Sequence, residues 1–248
     1  MKRFFLMILV VGMFTSCETL TAILGSLNTS AQTGLINNSA GLKEALTIGV
    51  KNSVLDLNKE NGYLSDAALK ILLPTEAQML VNNIKLIPGG QNLIDQAVLR
   101  LNRAAEDAVS EAVPIFTTAI VNMTFSDAKA ILFSTDTAAT AFLRIKTYSQ
   151  LVNAFKPKIE TSLNKNLVGD ISATKSWSNL TSAYNKVATS TGGRIAGLKS
   201  IDTDISSYVT KRSLDGLFIR VAAEEKIIRK DPAARVTSLL KQVFGQLD

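Results

Sequence analysis

From Gly41 onward, apolar residues recur at steps of three and four, the period of an α-helix. Leu42, Leu46, Gly49 or Val50, Ser53 and Leu57 form the first stripe. Asn61-Gly62 should end that helix, with the glycine as a left-handed cap. Ile71-Leu72-Leu73-Pro74 reads as a short apolar connector, and a helix is expected from Thr75 to Ile87, broken by Pro88-Gly89-Gly90. The longest periodic run follows: Ile94, Ala97, Leu101, Ala104 or Ala105, Ala108, Ala112, Phe116 and Ala119 share one face. Its many alanines suggest close helix–helix approach. Pro114 falls inside the run, lacks an amide hydrogen and would clash with the Ser110 carbonyl, so a kink or break is expected there.

Thr124-Phe125-Ser126-Asp127 has the spacing of a capping box. A long helix should then carry Ala138, Phe142, Ile145, Val152 and Ile159, and the next stripe is Trp177, Leu180, Tyr184 and Val187. After Gly192-Gly193, Asp202 or Asp204 should cap a helix through Leu214, Phe218, Val221 and Ile228. Asp231-Pro232 should restart the last helix, with Asp at the cap and Pro at the first position. No sustained alternation and no Asn-Gly hairpin between β-branched runs occurs. The predicted fold is all-α: one domain of about seven to nine helices over residues 41–248, with no significant sheet.

The first residues follow a different pattern. Lys2-Arg3 precedes the apolar run Phe4 to Val11, then Gly12-Met13-Phe14, Thr15-Ser16 and Cys17. The run is too short to cross a bilayer as a mature helix and reads as a secretory signal. It resembles a bacterial lipobox, with Thr15 and Ser16 as the small residues and Phe14 departing from the usual leucine. That resemblance implies cleavage after residue 16, acylation of Cys17, and anchoring to a membrane through several acyl chains. Residues 17–40 then read as a lipidated N-terminus and polar tether, reaching about 25 Å if flexible. Leu20, Ile23, Leu24 and Leu27 leave open one short helix lying on the membrane or on the domain.

Composition narrows the chemistry. The 248 residues include no His and one Cys. A Ser-His-Asp triad, a Cys-His pair, a Glu-x-x-His di-iron site and a His-bearing zinc site are therefore excluded, as are intramolecular disulfides and thiolate cages. No cofactor is expected, and no Gly-rich phosphate loop is present. With Lys+Arg 27 and Asp+Glu 21 the net charge is +6, and loss of Lys2 and Arg3 with the signal leaves +4. Nucleic acid is a poor partner for an exported protein. Arg144, Lys146, Lys156, Lys158, Lys165 and Lys175 outnumber Glu160 and Asp170 in one stretch, which could face anionic headgroups or form a solvated helix face.

Several blocks resemble one family. Gly41-Leu42-Lys43-Glu44-Ala45-Leu46 looks like its opening. Asn102-Arg103-Ala104-Ala105-Glu106 resembles its central helix, followed by Ala119-Ile120, Met123 and Asp127-Ala128 to Ile131-Leu132. Leu214-Asp215-Gly216-Leu217-Phe218, Glu224-Glu225-Lys226 and Asp231-Pro232-Ala233-Ala234-Arg235 resemble its C-terminal block. Together they are similar to the bacterial domain of unknown function 4197, from about residue 41 to Gly245. The resemblance implies an exported or lipid-anchored helical protein and carries over no catalytic residue.

Candidate chemistry is thin. Ser-x-x-Lys occurs at Ser162–Lys165 and Ser172–Lys175, the spacing with which some hydrolases activate a serine. A chain this rich in Ser and Lys gives such spacings by chance, and the companion Lys-Thr-Gly is missing. Glu106-Asp107 with Glu111, and Glu224-Glu225, could supply an acid and a base. Adjacent helical residues point about 100° apart, so neither doublet converges on one atom by itself. Glu225 stands out because it falls within about 20° of Leu214 on the helical wheel, inside the apolar stripe. A carboxylate there must be paired with a base from another helix, protonated, or open to a ligand cleft as a polar anchor. These features point to a non-enzymatic, lipid-anchored interaction module of the bacterial envelope, facing the periplasm, with the outer membrane expected over the inner. Its partner would be another envelope protein. The alternative is a binding protein for an apolar or amphipathic, lipid-like ligand in a helical groove.

Overall fold

A computed structural model describes the backbone of residues 18–245 and the side chains from Asn38 to Gly245. The expected signal peptide over residues 1–16 and the lipid-bearing Cys17 lie outside the described residues. Three-quarters of the chain is helical, and no strand occurs among the described residues.

Helix α1, Glu18–Asn58, carries the first stripe: Leu42, Leu46, Val50, Ser53 and Leu57 are all buried. The tether expected up to residue 40 is instead the first part of this helix. Thr, Ser and Asn are weak helix formers, which is why composition suggested coil. Extending a helix from a segment already packed in a core needs no new nucleus, and no proline interrupts it. After Asn58 it is Asn61, not Gly62, that takes the left-handed conformation, at φ 69°. Gly62 is needed for a different reason: a Cβ there would sit 2.4 Å from the Leu57 carbonyl oxygen.

The segment expected as one helix from Thr75 to Ile87 is three short turns, with α2 at Gln78–Asn82 between two 3₁₀ turns. Helix α3, Gly90–Ala108, passes through a 3₁₀ turn at Val109–Glu111 into α4, Ala112–Val121. The break expected at Pro114 is that turn. Pro114 becomes the third residue of the new helix, where its missing N–H has no intrahelical partner to lose. Helix α5, Phe125–Leu132, opens with the full capping box: Thr124 Oγ accepts from the Asp127 amide, and Asp127 accepts from the Thr124 amide.

Helix α6, Ala138–Asn164, buries Ala139, Leu143, Thr147, Leu151, Phe155 and Ile159. The expected stripe lies one step round: Phe142 and Val152 are half-buried and Ile145 is 82% exposed. Thr147 hides in the apolar face by donating its hydroxyl to the Leu143 carbonyl at 2.6 Å, which masks the true period. Helices α7, Ala173–Thr189, and α8, Thr191–Ile195, follow. Helix α9, Ile205–Lys230, is capped by Asp204 and buries Leu214, Phe218, Val221 and Ile228. Asp231 caps only a 3₁₀ turn, Pro232–Ala234. The last helix, α10, Ser238–Phe244, starts later, under a Thr237 cap.

Ion pairs and hydrogen bonds set the layout. Arg144 pairs with Asp215 and Lys156 with Asp204, so α6 and α9 run antiparallel. Asp56 binds Arg220, and the Tyr63 hydroxyl donates to the Ser213 carbonyl at 2.9 Å, so α1 and α9 are antiparallel too. Gly41 lets α10 close on α1: a Cβ there would lie 2.4 Å from Val243 Cγ2. Phe116 of α4 meets Phe218 of α9 edge to face, with centroids 5.5 Å apart. Helix α7 packs on α3 and α6. Among the described residues, no single helix is long and apolar enough to cross a membrane.

Candidate functional site

Glu225 is 7% exposed, and its carboxylate faces the first turn of α6. Oε1 accepts from the Ala139 amide at 3.0 Å and from Arg229 Nε at 2.9 Å. Oε2 accepts from the Thr140 amide and the Thr140 hydroxyl, both at 2.8 Å. Thr137, the residue in the cap position of α6, makes no side-chain cap. Glu225 thus supplies from α9 the acceptors that α6 lacks locally, at the positive end of its dipole.

Its partner Arg229 lies on the same helix, four residues on, rather than on another helix. The guanidinium also reaches the end of α5: Nη1 donates to the Leu132 carbonyl at 3.1 Å and Nη2 to the Ile131 carbonyl at 3.0 Å. It stacks over Phe244 of α10, 5.8 Å from the ring centroid. Arg235, 2% exposed, then donates to the Ile228 and Arg229 carbonyls at the end of α9. One buried glutamate and two buried arginines therefore close three helix ends. Four donors fill the roughly four acceptor sites of the Glu225 carboxylate. The cavity beside it, lined by Leu42, Leu46, Ala139, Val221 and Phe244, holds about 10 Å³, room for about one water. As a ligand anchor Glu225 has neither a free lone pair nor space in front of it.

The remaining candidates disperse. Ser162 Oγ donates to Asp107 Oδ2 at 2.6 Å, and Lys165 Nζ meets the same oxygen at 2.5 Å. A carboxylate therefore sits where a serine–lysine hydrolase needs direct contact, and serine and lysine both bind it instead of each other. Burial raises the Asp107 carboxyl, but the hydrogen bonds from Lys165 and Ser162 outweigh it and keep the group below the usual carboxylate range. Ser172 is the N-cap of α7, accepting from the Lys175 amide at 3.2 Å. Glu106 turns to the Tyr63 amide and Arg103, Asp107 to Ser162 and Lys165 of α6, and Glu111, in the turn after α3, to Lys158, so the three carboxylates have separate partners. Glu224 turns towards Arg220 while Glu225 faces α6. In the basic stretch, Arg144, Lys156, Lys158 and Lys165 are each paired to a carboxylate, and Lys146 lies over the Phe142 ring. Among the described residues, no cluster of three acidic or Cys side chains could hold a metal ion.

Arg103 and Glu106 form the short-range helix pair that their spacing predicts, but sequence reasoning passed over Arg100 and Asn102 beside them. Asn102 is fully buried and brackets Ile71, accepting from its amide and donating to its carbonyl, both at 2.9 Å. Arg100 donates to the Ile171 carbonyl at 3.0 Å. Arg103 reaches Glu106 at 2.6 Å, Glu60 at 2.9 Å and Asn61 at 3.0 Å. These bonds pin the turn after α1 on one side of α3 and the α6–α7 loop on the other. Between them lies an open groove of about 570 Å³, lined by Asn58, Glu60, Leu99, Arg103, Asp107 and Leu167, among others. The i, i+4 spacing of Glu225 and Arg229 was a readable signal. Nothing local could have shown that Asn102 brackets a residue 31 positions away.

The fold and these sites define a class: an all-helical domain whose buried charges brace helix ends and connecting loops. The chain belongs to the family described as protein of unknown function (DUF4197), which it matches over residues 34–245. No curated protein matches it, and no solved structure does. The resembling blocks are structural here. Asn102 to Glu106 holds the turn after α1, Gly216 makes room for the Tyr63 ring, and Arg235 closes α9.

Proposed function

We propose that this protein is a lipid-anchored component of the bacterial envelope, facing the periplasm from the outer membrane, and that it acts as a non-enzymatic interaction module. The observation that carries the reading is the placement of the only cysteine, Cys17, behind a short apolar run and Thr15-Ser16. Helix α1 is described from Glu18 onward and runs unbroken into the core, so an acylated Cys17 would sit next to one continuous helix that leads to the domain. The non-enzymatic part rests on where the polar groups go. Ser162 and Lys165 are taken up by Asp107, which ties α6 to α3, and Glu225 is taken up by the first turn of α6 and by Arg229. The ligand-groove alternative has no observation in its favour at Glu225, where the cavity is water-sized.

The test is metabolic labelling of the full chain with an alkyne fatty acid, followed by fractionation. The wild-type chain should carry the label and sediment with membranes. Cys17→Ser should lose the label and stay soluble or unprocessed. A labelled Cys17→Ser chain, or an unlabelled wild type, overturns the anchor.

A further inference from the structure

The turn after α1 holds a reactive pair of residues in an unreactive arrangement. Asn61 is followed by Gly62, which has no side chain to shield its amide nitrogen from the Asn61 carboxamide. In an open chain that nitrogen, once deprotonated, attacks Asn61 Cγ. An N–Cγ bond forms, the Cγ–Nδ2 bond breaks, and ammonia leaves carrying the proton taken from Gly62. Water then opens the five-membered imide at either carbonyl and gives aspartate or its β-linked isomer. Asparagine is heat-labile for this reason.

Three features oppose the reaction in the fold. Asn61 is the one non-glycine residue with positive φ among the described residues, at 69°. In the left-handed region ψ is about +47°, which places the Gly62 nitrogen across the Cα–C bond from Cβ. Ring closure needs the two on the same side. The Gly62 N–H donates to the Lys59 carbonyl at 2.9 Å, so removing its proton would set an anion against a carbonyl oxygen. Arg103 Nη2 donates to Asn61 Oδ1 at 3.0 Å. That bond draws electrons from Cγ, which favours attack, but it also fixes the carboxamide towards α3. With the nitrogen on the far side, position outweighs polarisation. The backbone has little room to shift: a Cβ on Gly62 would lie 2.4 Å from the Leu57 carbonyl oxygen, and the Asn61 carbonyl accepts from the Ser65 amide at 3.1 Å and its hydroxyl at 2.7 Å. Asn61 is nevertheless exposed, so water reaches it as soon as the turn opens.

We infer that Asn61-Gly62 is a self-modification site latched by Arg103: it deamidates only through local opening of the turn after α1, and the product records that opening irreversibly. Aspartate keeps an acceptor for Arg103. The β-linked isomer adds a methylene to the backbone of a turn with no room for a Cβ at Gly62, so it cannot re-form the contacts that hold α1 to α3 through Arg103 and Glu106. The inference rests on neither the anchor nor the interaction-module reading.

The test holds the full chain at mildly alkaline pH and body temperature, folded or in guanidinium, and digests samples with trypsin at intervals. The peptide over residues 60–70 has Asn61 as its sole asparagine, so a mass shift from NH2 to OH reports this site alone, and elution separates the two products. Folding should slow the loss of Asn61 about tenfold or more, since the reaction then waits on local opening. Arg103→Lys keeps the positive charge beside Glu106 but loses the planar fork, and should speed the loss in the folded chain about fivefold. Gly41→Val disturbs the contact with α10 at the other end of the packed part of α1 and should leave the rate as in the parent. The inference is overturned if the folded chain loses Asn61 as fast as the denatured one, or if Arg103→Lys reacts at the parent's rate. It is also overturned if Gly41→Val speeds the loss as much as Arg103→Lys does, which would assign the reaction to global unfolding.

Discussion

At the scale of single residues, stability concentrates on a few buried charges. Glu225 satisfies two backbone amides, a hydroxyl and a guanidinium at once. Removing one member of a buried pair leaves the other uncompensated and costs about 3–5 kcal/mol. Glu225→Ala should lower the urea midpoint by about 1 M or more, with Glu225→Gln costing less because its amide oxygen still accepts. A loss under about 1 kcal/mol in Glu225→Ala would refute the bracing role. Asp204 gives a pH-dependent counterpart. The Ser207 hydroxyl and amide, then the Ser206 hydroxyl, hold its carboxyl far below the usual range, against the effect of burial. A lowered folded-state pKa means that its contribution is complete above the unfolded value, about pH 4, and is lost as the pH falls towards the folded one. Asp204→Ala should therefore cost about 1 kcal/mol at pH 7, the usual worth of an N-cap. The gap to the parent should narrow steadily below about pH 4. A gap of constant size down to pH 2 would show that the carboxylate charge is not what caps α9.

At the scale of elements, signals carried by neighbours in sequence were legible and signals carried across the fold were not. The Thr124–Asp127 box and the Asp204 cap were readable because donor and acceptor lie within three residues. The α9 stripe was readable because between Leu214 and Ile228 only Glu225 interrupts it. The α6 stripe was misread because Thr147, polar by type, is buried while Ile145 is exposed. Asp231-Pro232 looked like a helix start, yet Arg235 is drawn back to the α9 carbonyls and the chain turns before α10 begins. Glu225 itself could be picked out as a buried carboxylate, whereas its acceptor role at α6 depends on a contact 85 positions away. Close approach of elements is equally silent in sequence. Gly41 looks like an unremarkable helical glycine, but a Cβ there would meet Val243. Gly41→Val should overpack the α1–α10 contact at a cost of about 1–3 kcal/mol, and amides from Leu240 to Phe244 should exchange faster with solvent. Unchanged protection of those amides would show that α10 is held by its other contacts alone.

At the scale of the whole molecule, the question is whether the braces make one cooperative unit. Chains beyond about 150 residues often unfold in stages. Here the Glu225–Arg229 pair ties α9 to the α5–α6 turn, α9 lies along α1 and α6, and α7 packs on α3 and α6. Trp177, the only tryptophan, sits 6% exposed on α7, where neither Glu225 nor Arg229 contacts it by any bond described above. Its fluorescence therefore reports on α7, while far-UV circular dichroism reports on all helices. If α6 transmits the brace to α7, both signals should share one urea midpoint in the parent chain. Glu225→Ala should then shift both by the same amount. If α3 and α7 form a separate unit, Glu225→Ala should move the dichroism midpoint and leave that of Trp177 where it was. The first result is expected, because α6 is common to both halves of the fold: it takes Glu225 at its first turn and supplies Ser162 and Lys165 to Asp107 of α3 at its last.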